Sequence, residues 1–166
     1  VYKRQRLCVE TMVQSLEKSA HKTPVSLFEE AVTAANKAVF EESASHVEYE
    51  GMGTTVVACT LEENTLYIAN IGDSRLYLIR DGIEQITDDH SLVEEMVKQG
   101  NITESEARIH PQKNIITRAL GINEEVQADF FEIDVEQGDV IMLCSDGLSN
   151  MIEDEDMEYI VKNSDT

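Results

Sequence analysis

The chain has 166 residues, of which 42% are hydrophobic, and 33 acidic side chains outnumber 13 basic ones to give a formal charge of −20. That is enough apolar material for one domain with a buried core. The charge argues against nucleic acid and anionic membrane surfaces as partners, because binding to either relies on Lys and Arg neutralising negative charge.

The three cysteines, Cys8, Cys59 and Cys144, are an odd number without Cys-x-x-Cys spacing. Cys59 and Cys144 sit in apolar runs, where a free thiol behaves as a small core residue, and the pattern reads as a reducing cytoplasm. No apolar run approaches the roughly 18 residues that span a bilayer, and no basic-then-apolar leader opens the chain, so a soluble cytoplasmic protein is expected. Residues 1–5, Val1-Tyr2-Lys3-Arg4-Gln5, lack an initiator Met and resemble a translated sequencing adaptor. They are read as a non-native leader, with 6–166 as a partial domain cut at both ends.

Leu7, Met12 and Leu16, then Leu27, Ala31, Ala35 and Val39, recur at helical spacing and predict helices over 7–19 and 24–43, the second with Thr23 as N-cap and Pro24 at its first position. From Thr54 the period becomes strand-like. Runs at 54–61, 65–71, 75–80 and 83–86 are split by Glu63-Asn64, Gly72-Asp73 and Asp81-Gly82. Connections this short predict neighbouring antiparallel strands, hence a meander. Ser91 with Glu94, and Thr103 with Glu106, mark the caps of two further helices, the first ended by Gly100 and the second running over 103–109. A loop at 110–113, a short segment at 115–120 and a strand at 126–133 follow. Val140–Cys144 is apolar throughout and is expected to be a central strand covered on both faces. A helix over 153–162 closes the pattern, with Glu153-Asp154-Glu155-Asp156 placing negative charge at its positive end. Helices, then a meander, then strand and helix indicate an α+β layered domain.

Two acidic turns follow apolar runs: Gly72-Asp73-Ser74-Arg75 and Ser145-Asp146-Gly147. Taken alone, Asp73 reads as a tight-turn residue bonded to its own backbone, and Asp146 as a strand-end residue or N-cap. Together they offer two carboxylates at strand ends, where a divalent cation could be held. His21, His46, His90 and His110 lack ligand spacing on a common element and are expected in surface or capping roles. Cys144, among apolar neighbours, reads as a core thiol and not a nucleophile.

In order along the chain, Gly51-Met52-Gly53-Thr54-Thr55, Asn70-Ile71-Gly72-Asp73-Ser74-Arg75, Thr87-Asp88-Asp89-His90-Ser91, Thr117-Arg118-Ala119-Leu120-Gly121, Gly138-Asp139 and Cys144-Ser145-Asp146-Gly147-Leu148 resemble the bacterial branch of the PP2C-type metal-dependent serine/threonine protein phosphatases. The match runs from about residue 24 to 166. It implies an α-β-β-α sandwich of two antiparallel sheets flanked by helices, here truncated. It also implies a pair of Mn²⁺ or Mg²⁺ ions whose bridging water attacks phosphoserine or phosphothreonine, without a phosphoenzyme. On this resemblance Asp146 helps hold the metal centre, Asp73 joins Asp146 in binding an additional ion, residues 91–120 form a mobile flap, and Ser74 and Arg75 fix the turn that aims Asp73. Phosphorylated proteins are the implied substrates and a serine/threonine kinase the implied partner.

The family's Arg-x-x-Asn-Glu-Asp, Asp-Gly-Met-Gly-Gly-His and Gly-x-Asp-Asn segments have no counterpart in the chain; Glu50-Gly51-Met52-Gly53-Thr54-Thr55 lacks the Asp and His of the second. Most carboxylates of the two-ion centre, the phosphate-binding Arg and the general-acid His go with them. No catalytic residue is assigned, and the chain alone is expected to be inactive. Two alternatives stand beside a phosphatase fragment: a non-catalytic interaction module on the same fold, and a phosphatase of sigma-factor regulators.

Overall fold

The computed structural model describes residues 2–18, 22–45, 51 and 53–164. The chain opens with a packed pair of helices, α1 (Tyr2–Lys18) and α2 (Pro24–Ser45). α1 starts ahead of the expected residue 7, because Lys3, Arg4, Gln5 and Arg6 are good helix formers and extend the regular backbone. The expected last residue, Ser19, lies outside the described residues, as do His21, His46, Glu50 and Met52. Thr23 precedes α2 as expected, accepting the Leu27 amide at its carbonyl at 3.0 Å.

Among the described residues, six strands form two antiparallel sheets. β1 (Val56–Glu62), β2 (Thr65–Ile71) and β5 (Asp129–Asp134) pair in the order β1-β2-β5, and β3 (Arg75–Ile79), β4 (Ile83–Gln85) and β6 (Val140–Cys144) in the order β4-β3-β6. The expected meander is therefore wrong at one connection. β1–β2 and β3–β4 are hairpins, but β2 and β3 belong to different sheets, and Gly72-Asp73-Ser74 is a corner that carries the chain from one to the other. Gly72 makes the corner possible: its φ is +105°, and a Cβ there would lie 2.3 Å from Thr55 Cγ2. A short connection fixes proximity in sequence, not pairing.

A second expectation also fails. β6 lies at an edge of its sheet among the described strands, and β3 is central, with Leu76, Tyr77, Leu78 and Ile79 all buried. Val140 and Leu143 of β6 are each 42% exposed. An apolar run reports low polarity on both faces; it does not report how many neighbours the strand has. The strand expected over 126–133 begins only at Asp129; the Gln127 carbonyl ahead of it accepts from Arg118 at 3.2 Å.

The alternation within β1, β2 and β5 sorts their side chains into two cores. Val56, Ala58, Ile71 and Phe130 face the helix pair and pack with Cys8, Met12, Ala31, Val32, Ala35 and Val39. Val57, Cys59, Leu66, Ile68, Phe131 and Ile133 face the other sheet, meeting Leu76, Ile86 and Ile141. Beyond that sheet lies α6 (Asp154–Asn163), with Met157 buried, Glu158 accepting the Ile83 amide at 3.1 Å and Lys162 donating to the Asp81 carbonyl at 2.8 Å. The result is the expected α+β arrangement of helices, sheet, sheet and helix. Between β4 and β5 the chain makes an excursion through α3 (Leu92–Lys98) and α4 (Glu104–Ile109). Both expected caps are present: Ser91 Oγ accepts the Glu94 amide, and Thr103 and Glu106 form a reciprocal capping box.

Candidate metal centre

The two acidic turns meet because of strand register. β3 and β6 run antiparallel with Arg75 opposite Cys144. Asp73, two residues before Arg75, and Asp146, two residues after Cys144, therefore leave the sheet at the same end. Both line a cleft of about 380 Å³ whose walls are the start of β3, Gln85 and the segment 87–91, α3, α4, α5 (Asp146–Ser149) and the first residue of α6.

The wall is strongly acidic: Asp88, Asp89, Glu94, Glu104 and Asp154 join Asp73 and Asp146, against Arg75, Arg108 and Lys113. Burial raises the Asp73 carboxyl above its ordinary range, and the neighbouring Asp146 charge raises it further; its own backbone and the Arg75 charge only partly oppose this. Arg75 is committed elsewhere. Its Nε and Nη2 fork onto Asp89 at 2.8–3.2 Å, and Nη1 donates to Tyr77 Oη at 2.9 Å. Gln85 donates to the same Asp89 at 3.1 Å. Arg75 thus anchors the segment behind the cleft and leaves the Asp73–Asp146 pair without a guanidinium of its own. Ser74, buried, shares a 2.9 Å hydrogen bond with Thr55 and ties the corner to the chain beside β1.

The expectation for the histidines holds for His110, which accepts the Gln112 amide at the end of α4, and fails for His90. His90 is 7% exposed. Its Nδ1 accepts the Gly72 amide at 2.9 Å and its own amide donates to the Gly72 carbonyl at 2.9 Å. Since Nδ1 is an acceptor, the proton sits on Nε2 and is donated to Asp129 Oδ2 at 3.0 Å. Arg118 Nη1 donates to the other Asp129 oxygen at 2.5 Å. Burial would raise the Asp129 carboxyl, but the hydrogen bonds from His90 and Arg118 outweigh it and hold the group below its ordinary value. Sequence reasoning missed His90 because a lone histidine carries no spacing signal, and Asp89 because nothing links it to Arg75 before the chain folds. Cys144 is half-buried, and burial pushes its thiol up, as fits a core thiol.

A hard divalent cation fits this donor set in part. Two carboxylates that repel one another suit a shared oxygen-ligated ion. Among the described residues, no group of three or more His, Cys, Asp or Glu side chains is placed to hold a metal ion.

A family model for protein phosphatase 2C matches residues 5–163. The chain belongs to the protein phosphatase 2C family. It is 41% identical over 139 residues to the serine/threonine phosphatase stp of Listeria monocytogenes serotype 4b (strain F2365), covering 83% of this chain and 55% of that protein. It is 48% identical over 114 residues to the protein phosphatase PhpP of Streptococcus pneumoniae serotype 2 (strain D39), covering 68% of this chain and 46% of that one. The chain thus spans about half the length of the curated relatives it matches. Its fold superposes on the serine/threonine phosphatase Stp1 of Staphylococcus aureus with a TM-score of 0.85 at 32% identity, covering 95% of this chain and 65% of the other. The catalytic domain of the phosphatase PstP, solved in complex with two manganese ions, gives the same TM-score of 0.85 at 32% identity over 97% of this chain and 67% of that one. The α+β sandwich of this PP2C-family chain is therefore the family's fold.

Proposed function

We propose that this PP2C-family chain is the central part of a metal-dependent protein serine/threonine phosphatase, and that Asp73 and Asp146 hold a Mn²⁺ or Mg²⁺ ion between them. The observation that carries the reading is the meeting of both acidic turns on one acidic cleft, where the charge of Asp146 opposes ionisation of Asp73. Divalent ions in such a centre lower the pKa of bound water and offset charge on phosphoryl oxygens. The residues of this chain do the holding and the framing. Asp73 and Asp146 supply carboxylate oxygens, Ser74 and Thr55 brace the corner, and α3 and α4 form the wall across which a phosphorylated segment would lie, with residues 91–120 as the flap. Phosphoproteins are the substrates on this reading, and a serine/threonine kinase the opposing enzyme.

Asp73 and Asp146 alone cannot build a two-ion centre, so the chain by itself is expected to bind Mn²⁺ weakly and not to hydrolyse p-nitrophenyl phosphate. Calorimetric titration with Mn²⁺ checks the first point: affinity should fall roughly tenfold or more in Asp73→Asn and in Asp146→Asn, as for loss of a direct ligand. Binding indifferent to both substitutions would remove the site. Manganese-dependent turnover abolished by Asp146→Ala would overturn the expected inactivity.

A further inference from the structure

We propose that His90 is a positioning residue: it clamps the Asp73 corner and couples it, through Asp129 and Arg118, to the helical excursion between β4 and β5. The metal half of the proposal rests on the reading of Asp73 as a cation ligand; the coupling half does not.

Gly72, immediately before Asp73, is held on both of its backbone groups by one residue, with its amide on His90 Nδ1 and its carbonyl on the His90 amide, each at 2.9 Å. Asn70 reinforces the same junction by donating to the Asp88 carbonyl at 2.9 Å. From His90 two paths lead toward the excursion. The His90 carbonyl accepts the Thr117 amide at 2.8 Å, next to the antiparallel bridge between Ser91 and Ile116. The ring donates to Asp129, whose second oxygen accepts from Arg118 at 2.5 Å. The returning arm of the excursion and the Asp73 corner are thereby bonded to one buried residue, His90, through its backbone and its ring. Gly72 cannot be braced by a side chain of its own, since its φ of +105° and its approach to Thr55 admit none. Its orientation has to be imposed from outside, and His90 Nδ1 supplies the one side-chain acceptor on its amide among the described residues.

Two substitutions separate this role from a buried histidine that merely fills space. In His90→Asn the amide oxygen overlays Nδ1 and still accepts from Gly72. In His90→Gln the longer side chain reaches Asp129 and leaves the Gly72 amide without its acceptor. Exchange of the Gly72 amide, followed by nitrogen-15 NMR without metal, should stay within about twofold of the parent in His90→Asn and quicken roughly tenfold in His90→Gln, the worth of one hydrogen bond. Affinity for Mn²⁺ should follow the same order, with a loss of roughly tenfold in His90→Gln, as for other groups that orient a ligand. Arg118→Gln, far from Gly72 in sequence, should quicken the same amide by a smaller factor. Equal exchange in His90→Asn and His90→Gln would overturn the positioning role, and a Gly72 amide unmoved by Arg118→Gln would overturn the coupling. Should His90→Gln fail to fold, His90→Ala, which also leaves the Gly72 amide without its acceptor, takes its place in the comparison with His90→Asn. If the parent chain binds no Mn²⁺, the cation reading falls while the amide comparisons stand.

Discussion

The two acidic turns look alike in sequence and differ in how the fold supports them. Asp73 sits in a corner between sheets, half-buried, behind a glycine that tolerates no side chain and between residues bonded to Thr55, Asp89 and His90. Asp146 is exposed at the end of an edge strand, opening a helix of 4 residues whose N-cap, Ser145, makes no side-chain capping bond. A third turn, Gly138-Asp139, completes the contrast. Asp139 accepts two bonds from Arg80 at 2.7–2.8 Å and the Glu136 amide, and the Arg80 bond chiefly pulls its carboxyl down to about 2. Asp139 has a cation of its own, whereas Asp73 shares an acidic cleft with Asp146, whose charge opposes its ionisation.

The largest effect should separate the two glycines. Gly72→Ala forces a positive-φ residue against Thr55 and should cost about 3 kcal/mol or more, whereas Gly147→Ala meets nothing closer than Ser145 Oγ at 3.5 Å and should be neutral or stabilising by up to about 1 kcal/mol. Thermal melts of the two variants check this, and equal melting temperatures would erase the distinction between corner and edge.

Asp73→Asn should raise the melting temperature at pH 7 in chelator by roughly 2–4 °C. The sign follows from the raised carboxyl: Asp73 stabilises the fold below its unfolded pKa, and that stability is lost as pH rises through the folded value. At neutral pH the ionised group is a net cost that the isosteric amide removes. The advantage should shrink on acidification toward pH 4. A lower melting temperature for Asp73→Asn at pH 7 would mean that Asp73 is already satisfied by the protein. Asp139 should behave oppositely. Its contribution is present above the ordinary carboxylate pKa and lost as pH falls toward about 2, so Asp139→Asn should lower the melting temperature at pH 7 and become neutral near pH 2.

The smallest effect concerns the edge itself. With Val140 and Leu143 each 42% exposed on β6, the chain should self-associate at high concentration through this edge. Light scattering should show a weak, concentration-dependent increase in mass that Leu143→Lys suppresses; a monomer at all concentrations would show the edge to be protected.

The sequence by itself determined the helices, their caps, the strand runs and the two acidic turns, because these rest on local physics. Hydrophobic period, capping chemistry at Ser91 and Thr103, and turn residues such as Gly72 act over a few positions. The family motifs, from Gly72-Asp73 to Asp146-Gly147, were legible for the same reason, and pointed to the sandwich before any coordinate. Tertiary structure alone decided that β2 and β3 part at a corner and that, among the described strands, β6 is an edge and β3 the centre. It alone decided that His90 is buried between Gly72 and Asp129, and that Arg75 is spent on Asp89. Each of these is a statement about which neighbour a residue finds across space. A run of apolar side chains is the same string at the centre of a sheet or at its rim, and a carboxylate's charge is costly or cheap only when its partners are known.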